Sequence, residues 1–217
     1  MATGKAKRDP SGDLKGALAP IKTTHMASIT DPKKVAPLLR MLDGYEGSLI
    51  VRGALRLLPL LFVRPGELRA MRWDDLDMEK GEWSFVVNKT KTPHIVPLAK
   101  QSIAILMEIR LLTGKGPYVF PSARTAERPM SDMAMNAAMR RMGIDTKTEM
   151  TGHGFRAMAR TILDEVLGFR PDFIEQQMAH AVRDPLGRAY NRTAYLPERK
   201  QMMQAWADYL DILKSEE

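Results

Sequence analysis

The residues of this chain that could do chemistry are one phenol and the cations that precede it. Tyr190 stands in RAYNR near the C-terminus. Before it come Arg64 in VRPGELR, Lys89 in NKTKTPHIVPL, His153 and Arg156 in HGFR, and His180 at the end of QMAH. Such a set suits attack of an aromatic hydroxyl on a phosphodiester, with the positive groups holding the phosphate charge. A phenol with a pKa of about 10 attacks poorly unless a base or nearby cations assist it. Convergence of these side chains is therefore the first thing the fold must supply.

Taken singly, each motif has a plainer explanation. His153 and Arg156 are three apart and share a helix face, and Thr151 and Gly154 mark a helix start that favours an anion. The same spacing also fits a capping histidine beside a solvated arginine. Arg64 follows an apolar helix and precedes Pro65, so it can bond helix-end carbonyls, pair with Glu67, or grip two phosphate oxygens with Glu67 orienting it. Lys89 and Lys91 share a polar turn where lysines are usually solvated, although an ammonium there can protonate a leaving oxygen. A histidine at a helix end, such as His180, often satisfies local carbonyls. His25 and His94 carry no pattern and read as structural or solvent-facing. Tyr45, Tyr118 and Tyr209 have apolar neighbours and read as core positions, which leaves Tyr195 in TAYLPER as the rival nucleophile. DDLD at 74–77 reads as a solvated turn or cap, and the zinc-peptidase, Walker and serine-hydrolase signatures are missing.

The elements that must position these residues follow from periodicity and caps. Thr30 is placed to cap a helix from Asp31-Pro32 with Val35, Leu38, Leu39 and Leu42 on one face. SLIVRGALRLLPLLF is apolar on nearly all sides and predicts a buried central helix, bent near Pro59. Pro65 opens a short third helix with Arg64 at its edge. WSFVV and HIVPL, separated by NKTKTP, predict a β-hairpin with Lys89 in its turn. Helices then follow to Gly114, from Ser131 to Gly143, over GFRAMARTILDEVLG to Gly168, from Pro171 through QMAH, and over the last segment, with YVFPS in a loop. The expected fold class is mostly α with a small antiparallel β-sheet, α+β. In the last helix Met202, Trp206, Tyr209, Leu210 and Leu213 form an apolar stripe.

Composition narrows the partners. The chain has 217 residues, enough for one sizeable core, and 44% hydrophobic residues without a membrane-length apolar run. Its 33 Lys and Arg against 26 Asp and Glu give a net charge of +7, which favours a polyanion such as nucleic acid. Aromatics at 6% argue against a single-strand stacking platform. There is no cysteine, so disulfides and thiolate metal sites are excluded and a reducing cytoplasm fits.

In order, from HMASITDP through FVRPGELRAMRW, PHIVPL, MTGHGFRAMARTIL and RAYNR to MMQAWADYLD, the motifs resemble the catalytic domain of the tyrosine recombinases, or phage integrases. The likeness is nearest to integrases of satellite phages, prophages and genomic islands. It implies that Arg64 and Arg156 hold the scissile phosphate. It assigns the hairpin lysine to Lys89 over Lys91, the first histidine to His153, the second to His180 and the nucleophile to Tyr190. It implies phosphoryl transfer without a metal or cofactor, through a 3′-phosphotyrosyl bond and a freed 5′-hydroxyl. Double-stranded DNA attachment sites would be the partners, with a tetramer forming on DNA, accessory DNA-bending proteins allowed, and a bacterial cytoplasmic, nucleoid-associated location.

Two departures accompany the likeness. The later histidine motif reads M-A-H, and residues 1–28 look like an interdomain linker, leaving residues 29–217 as the catalytic domain without arm-binding and core-binding domains. The expectation is an excised domain or truncated product that binds DNA weakly and with strong salt dependence. A silent DNA-binding remnant and a type IB topoisomerase-like strand transferase are the alternatives. The last helix either packs on its own core or is exchanged between protomers, the free chain being a monomer.

Overall fold

A computed structural model describes residues 26–180 and 195–215, together with positions 12 and 16. Tyr190 and His25 lie outside the described residues. Among the described residues, eight α-helices and two small antiparallel sheets confirm the expected class.

The helices form where the caps and apolar periods place them. Helix α1 (Pro32–Asp43) begins at Asp31, whose side chain accepts a hydrogen bond from the Lys33 amide; this, and not the expected Thr30, is the cap. It buries Val35, Leu38, Leu39 and Leu42 against α2 (Leu49–Leu61), the apolar central helix. Helix α2 continues through Pro59, whose carbonyl accepts the Trp206 indole N–H at 2.9 Å. Gly53 lets α2 approach α4 (Lys100–Thr113) closely, because a Cβ there would collide with Ile109. Helix α8 (Leu196–Ser215) lies against α1 and α2 and buries Met202, Trp206, Leu210 and Leu213, so its stripe packs within the same chain.

Between α3 (Pro65–Arg69) and α4 the chain makes a 3₁₀ turn at Trp73–Asp75 and a three-stranded sheet of β1 (Leu76–Asp77), β2 (Glu82–Val86) and β3 (Pro93–Pro97), in the order β1-β2-β3. The β2–β3 hairpin pairs Ser84 with Ile95 and Val86 with Pro93, which puts Lys89 at its tip as expected. DDLD thus becomes a turn plus a short strand. A second hairpin, β4 (Pro121–Ser122) with β5 (Thr125–Pro129), occupies a stretch expected as loop. Its strands are mostly exposed and carry two prolines, so neither β propensity nor an apolar alternation announces them.

Helices α5 (Ala134–Arg141), α6 (Gly154–Glu165) and α7 (Pro171–Gln177) complete the chain before α8. Helix α6 is capped by the Thr151 hydroxyl, which accepts the Gly154 amide at 2.8 Å. A Cβ at Gly154 would strike the Ala27 carbonyl, and Ser28 Oγ donates to the Gly154 carbonyl at 2.8 Å. The start of the HGFR helix is therefore fixed by residues at the end of the N-terminal segment. Helix α7 stops three residues before His180, earlier than expected. Ala179 takes φ +53°, its amide bonds the Gln176 carbonyl, and the His180 amide reaches back to the Glu175 carbonyl at 3.0 Å. That pair of bonds is a Schellman ending, which normally carries glycine at the left-handed position.

Candidate active site

Four of the expected residues meet where the ends of α2, α6 and α7 come together. Arg156, in the first turn of α6, is 4% exposed. It donates from Nη1 to the Phe62 carbonyl at 3.0 Å, and from Nη2 to the Met178 carbonyl at 2.9 Å and His180 Nε2 at 2.9 Å. Both carbonyls belong to helix ends, and each lies beside a non-glycine residue in the left-handed region. Phe62 has φ +38° at the end of α2, and Ala179, which follows Met178, has φ +53°. Such backbone costs about 1–2 kcal/mol per residue. At Phe62 the ring offsets this by full burial, edge-on to Trp206. One guanidinium thus pins two strained turns, which in turn present Arg64 and His180.

Arg64 sits two residues after Phe62 at the N-terminal edge of α3. Glu67 accepts its amide at 3.2 Å and its Nη1 at 3.0 Å. Glu67 is buried, so the pair fixes the guanidinium and leaves the rest of its fork available. The expected pairing with Glu67 is present, and the arginine also lies beside His153 and Arg156.

His180 is held from two sides. Its Nδ1 lies 2.5 Å from Glu175 Oε2, and its Nε2 faces Arg156. An arginine can only donate, so Nε2 accepts and the proton resides on Nδ1, toward the carboxylate. Burial alone would raise the Glu175 carboxyl, but its bonds to Arg160 and His180 hold it below the usual range. Sequence reasoning missed Glu175. A five-residue spacing to His180 fits no helical face, and only the Schellman turn folds the histidine back onto it.

His153, the residue before α6, is pushed below its ordinary pKa by burial first and then by the positive charge of Arg156 and Arg64. Arg156 itself is lowered to about 10 by burial and by Arg64, against the pull of Glu67 and Glu175. These mutual effects place Arg64, His153, Arg156 and His180 within one electrostatic neighbourhood. With the Arg64 and Arg156 guanidiniums facing each other, the cluster is suited to be stabilised by an anion.

Lys89 is not brought into it. The lysine is exposed at the hairpin tip, and no contact among the described residues ties it to the cluster. Lys91 serves the turn itself, with φ +56° and its amide on the Val87 carbonyl. The base of the hairpin is attached, however: His94 on β3 is buried, and its Nε2 lies 3.1 Å from the Gln177 carbonyl. Tyr195 makes a different set of contacts, its ring 5.0 Å from Phe173 and 5.9 Å from the Arg170 guanidinium. Those residues belong to the start of α7, whereas His180 follows its end. No group of three or more potential metal ligands occurs among the described residues, and no helix there is long and apolar enough to cross a membrane.

His94 gives the site's surroundings a pH dependence. Burial above all, together with Arg199, Arg64 and Arg156, pushes its imidazole down to about 3, against the bond to Gln177 that favours the proton. The unfolded chain takes up this proton as pH falls through about 6.5, whereas the folded chain does so only near 3. The contribution is therefore complete above the unfolded-state value and is lost as pH falls between the two. By about pH 5 the loss amounts to roughly 2 kcal/mol. Urea titrations at pH 7 and pH 5 should show this difference, and His94→Phe should reduce it by about that amount; an unchanged difference would contradict the assignment.

The profile of the phage integrase family matches residues 29–196, which is most of the chain. The chain belongs to the phage integrase family. It is 38% identical to the integrase of Enterobacteria phage P4, over 94% of this chain and 50% of that protein. It is 34% identical to the prophage integrase IntA of Escherichia coli K12, over 98% of this chain and 51% of that protein. The chain thus spans about half the length of the curated relatives it matches. Its fold is shared with a lambda integrase dimer bound to a COC′ core site, at TM-score 0.59 and 17% identity, covering 88% of this chain and 69% of that one. In this family member the arginines, histidines and their carboxylate partners form the cluster described above. The M-A-H spelling falls on the Schellman turn, where Ala179 occupies the glycine-favouring position.

Proposed function

We propose that this chain is the catalytic part of a site-specific DNA recombinase, cleaving and rejoining duplex DNA through a 3′-phosphotyrosyl intermediate. The observation that carries the reading is the meeting of Arg64, His153, Arg156 and His180 at the ends of three helices, with a surplus of positive charge. Tyr190, ten residues beyond His180, is the proposed nucleophile.

In this scheme the Tyr190 hydroxyl oxygen attacks the scissile phosphorus and the bond from phosphorus to the 5′-oxygen breaks. Arg64 and Arg156 stabilise the nonbridging oxygens as charge moves onto them. His153, whose surroundings favour the neutral ring, takes the tyrosine proton. Lys89 gives a proton to the departing 5′-oxygen, which requires the hairpin tip to close over bound DNA. His180, its ring held at Nδ1 by Glu175, donates a hydrogen bond from Nε2 to the phosphate. A 5′-hydroxyl of the second duplex then reverses the step, so the bond energy is conserved in the phosphotyrosine. Duplex attachment sites, self-association on DNA and a cytoplasmic location complete the reading. Its support lies in the net charge of +7 and in the dimeric, DNA-bound state of the lambda integrase relative.

The test is a duplex spanning the element's attachment site, nicked beside the cleavage position so that the freed end diffuses away. A complex that survives denaturant and is destroyed by protease is expected. Binding of the duplex without any such complex would favour a silent DNA-binding remnant.

A further inference from the structure

Among the described residues, the most deeply buried cation lies outside the cluster. Arg199, in the first turn of α8, is fully buried, and among the described residues no carboxylate pairs with it. Its Nε and Nη2 donate to Gln177 Oε1 at 3.2 and 2.6 Å, and Nη2 also donates to the Ile95 carbonyl at 2.5 Å. Arg199 Nη1 and Gln177 Nε2 find no acceptor among the described residues. Burial by itself lowers this guanidinium to about 10. For stability alone, apolar side chains of similar volume in place of both the arginine and the glutamine would do as well or better.

What the arginine joins is more telling. Gln177 is three residues before His180, at the end of α7, and its carbonyl also meets the His94 ring. Ile95 lies on β3, in the hairpin that carries Lys89. Arg199 itself is nine residues beyond Tyr190. The end of α7, just before the second histidine, the strand of the lysine hairpin and the start of α8 are therefore tied together at one buried fork. A planar group with several fixed donors suits this task, since it bridges a side chain and a main-chain carbonyl at once.

We propose that Arg199, held by Gln177, is a positioning residue for the Tyr190-bearing segment, fixing where that segment leaves α7 and enters α8 relative to the lysine hairpin. The proposal rests on the phosphotyrosyl reading above. It assigns Arg199 no contact with DNA, so substitution should change the rate of the chemical step and spare binding.

The experiment uses the full chain and the nicked duplex, with duplex affinity, melting temperature and single-turnover covalent-complex rate at saturating duplex measured separately. Arg199→Met leaves Gln177 Oε1 and the Ile95 carbonyl unpaired, so it is expected to melt below wild type while staying folded at the assay temperature. It should bind duplex within about twofold and form the complex at least about 30-fold more slowly. Arg199→Lys keeps the charge but loses the fork, and should show the same slowing; it decides the matter if the methionine variant does not fold. Wild-type rates in a folded variant would overturn the latch and leave the phosphotyrosyl reading standing. Failure of the wild-type chain to form any complex would sink that reading, and the latch with it. Slowing that merely tracks lost stability or lost duplex affinity would also overturn the proposal.

Discussion

Tyr190→Phe is expected to abolish covalent complex formation while leaving duplex binding within a few-fold of wild type. The substitution removes one oxygen, and no other group in the scheme can form the bond to phosphorus. Residual catalysis by the cluster cannot compensate, because the arginines and histidines stabilise a transition state that needs an attacking atom. Tyr195→Phe is the informative partner. The Tyr195 ring lies on Phe173 and Arg170 at the start of α7, away from the His180 end. That variant should form the complex at close to the wild-type rate. Electrophoresis under denaturing conditions distinguishes the pair, and loss of the complex in the Tyr195 variant alone would reverse the assignment of the nucleophile.

The second large effect belongs to Arg156. Removal of one electrostatic clamp from a transition state typically costs about 10²–10³ in rate. Here the arginine also satisfies the Phe62 and Met178 carbonyls and the second histidine's Nε2. Arg156→Met should thus lose both rate and stability, the latter by about 1–3 kcal/mol for each acceptor left unpaired in a buried setting. Arg156→Lys separates the two roles. An ammonium keeps the charge but cannot reach two carbonyls, an imidazole and a phosphate with one fixed fork. We expect it to recover part of the stability and to remain at least about 10²-fold slow in single-turnover cleavage. Wild-type cleavage by the lysine variant would show that charge alone suffices and that the bridging geometry is incidental.

Much of this arrangement was legible in the chain. The apolar period of α2, Pro65 at the start of α3 and the Thr151–Gly154 start of α6 are local signals, and they put Arg64 and Arg156 at helix ends. The paired β-rich runs put Lys89 in a turn. What local signals do not carry is how those ends meet. Glu175 reaches His180 only because the chain reverses through Ala179 at positive φ, a conformation that an alanine does not advertise. Phe62 hides the same device at the end of α2. The environment of His94 and the buried fork of Arg199 depend on partners 83 and 104 residues away. No periodicity reports contacts at that separation. Lys89 shows the converse: its place in the hairpin was readable, whereas the proposed approach of the tip to the cluster rests on DNA binding and not on any contact within the described residues.

The central claim is that the cation cluster serves a bond between phosphate and Tyr190 in particular. Trypsin separates the two candidate tyrosines, because cleavage after Arg188, Arg192 and Arg199 places Tyr190 in AYNR and Tyr195 in TAYLPER. Mass spectrometry of the trapped complex after nuclease and trypsin digestion is the most direct measurement. A nucleotide phosphate on AYNR is the expected result. The same mass on TAYLPER, or on a histidine-bearing peptide, would contradict the account.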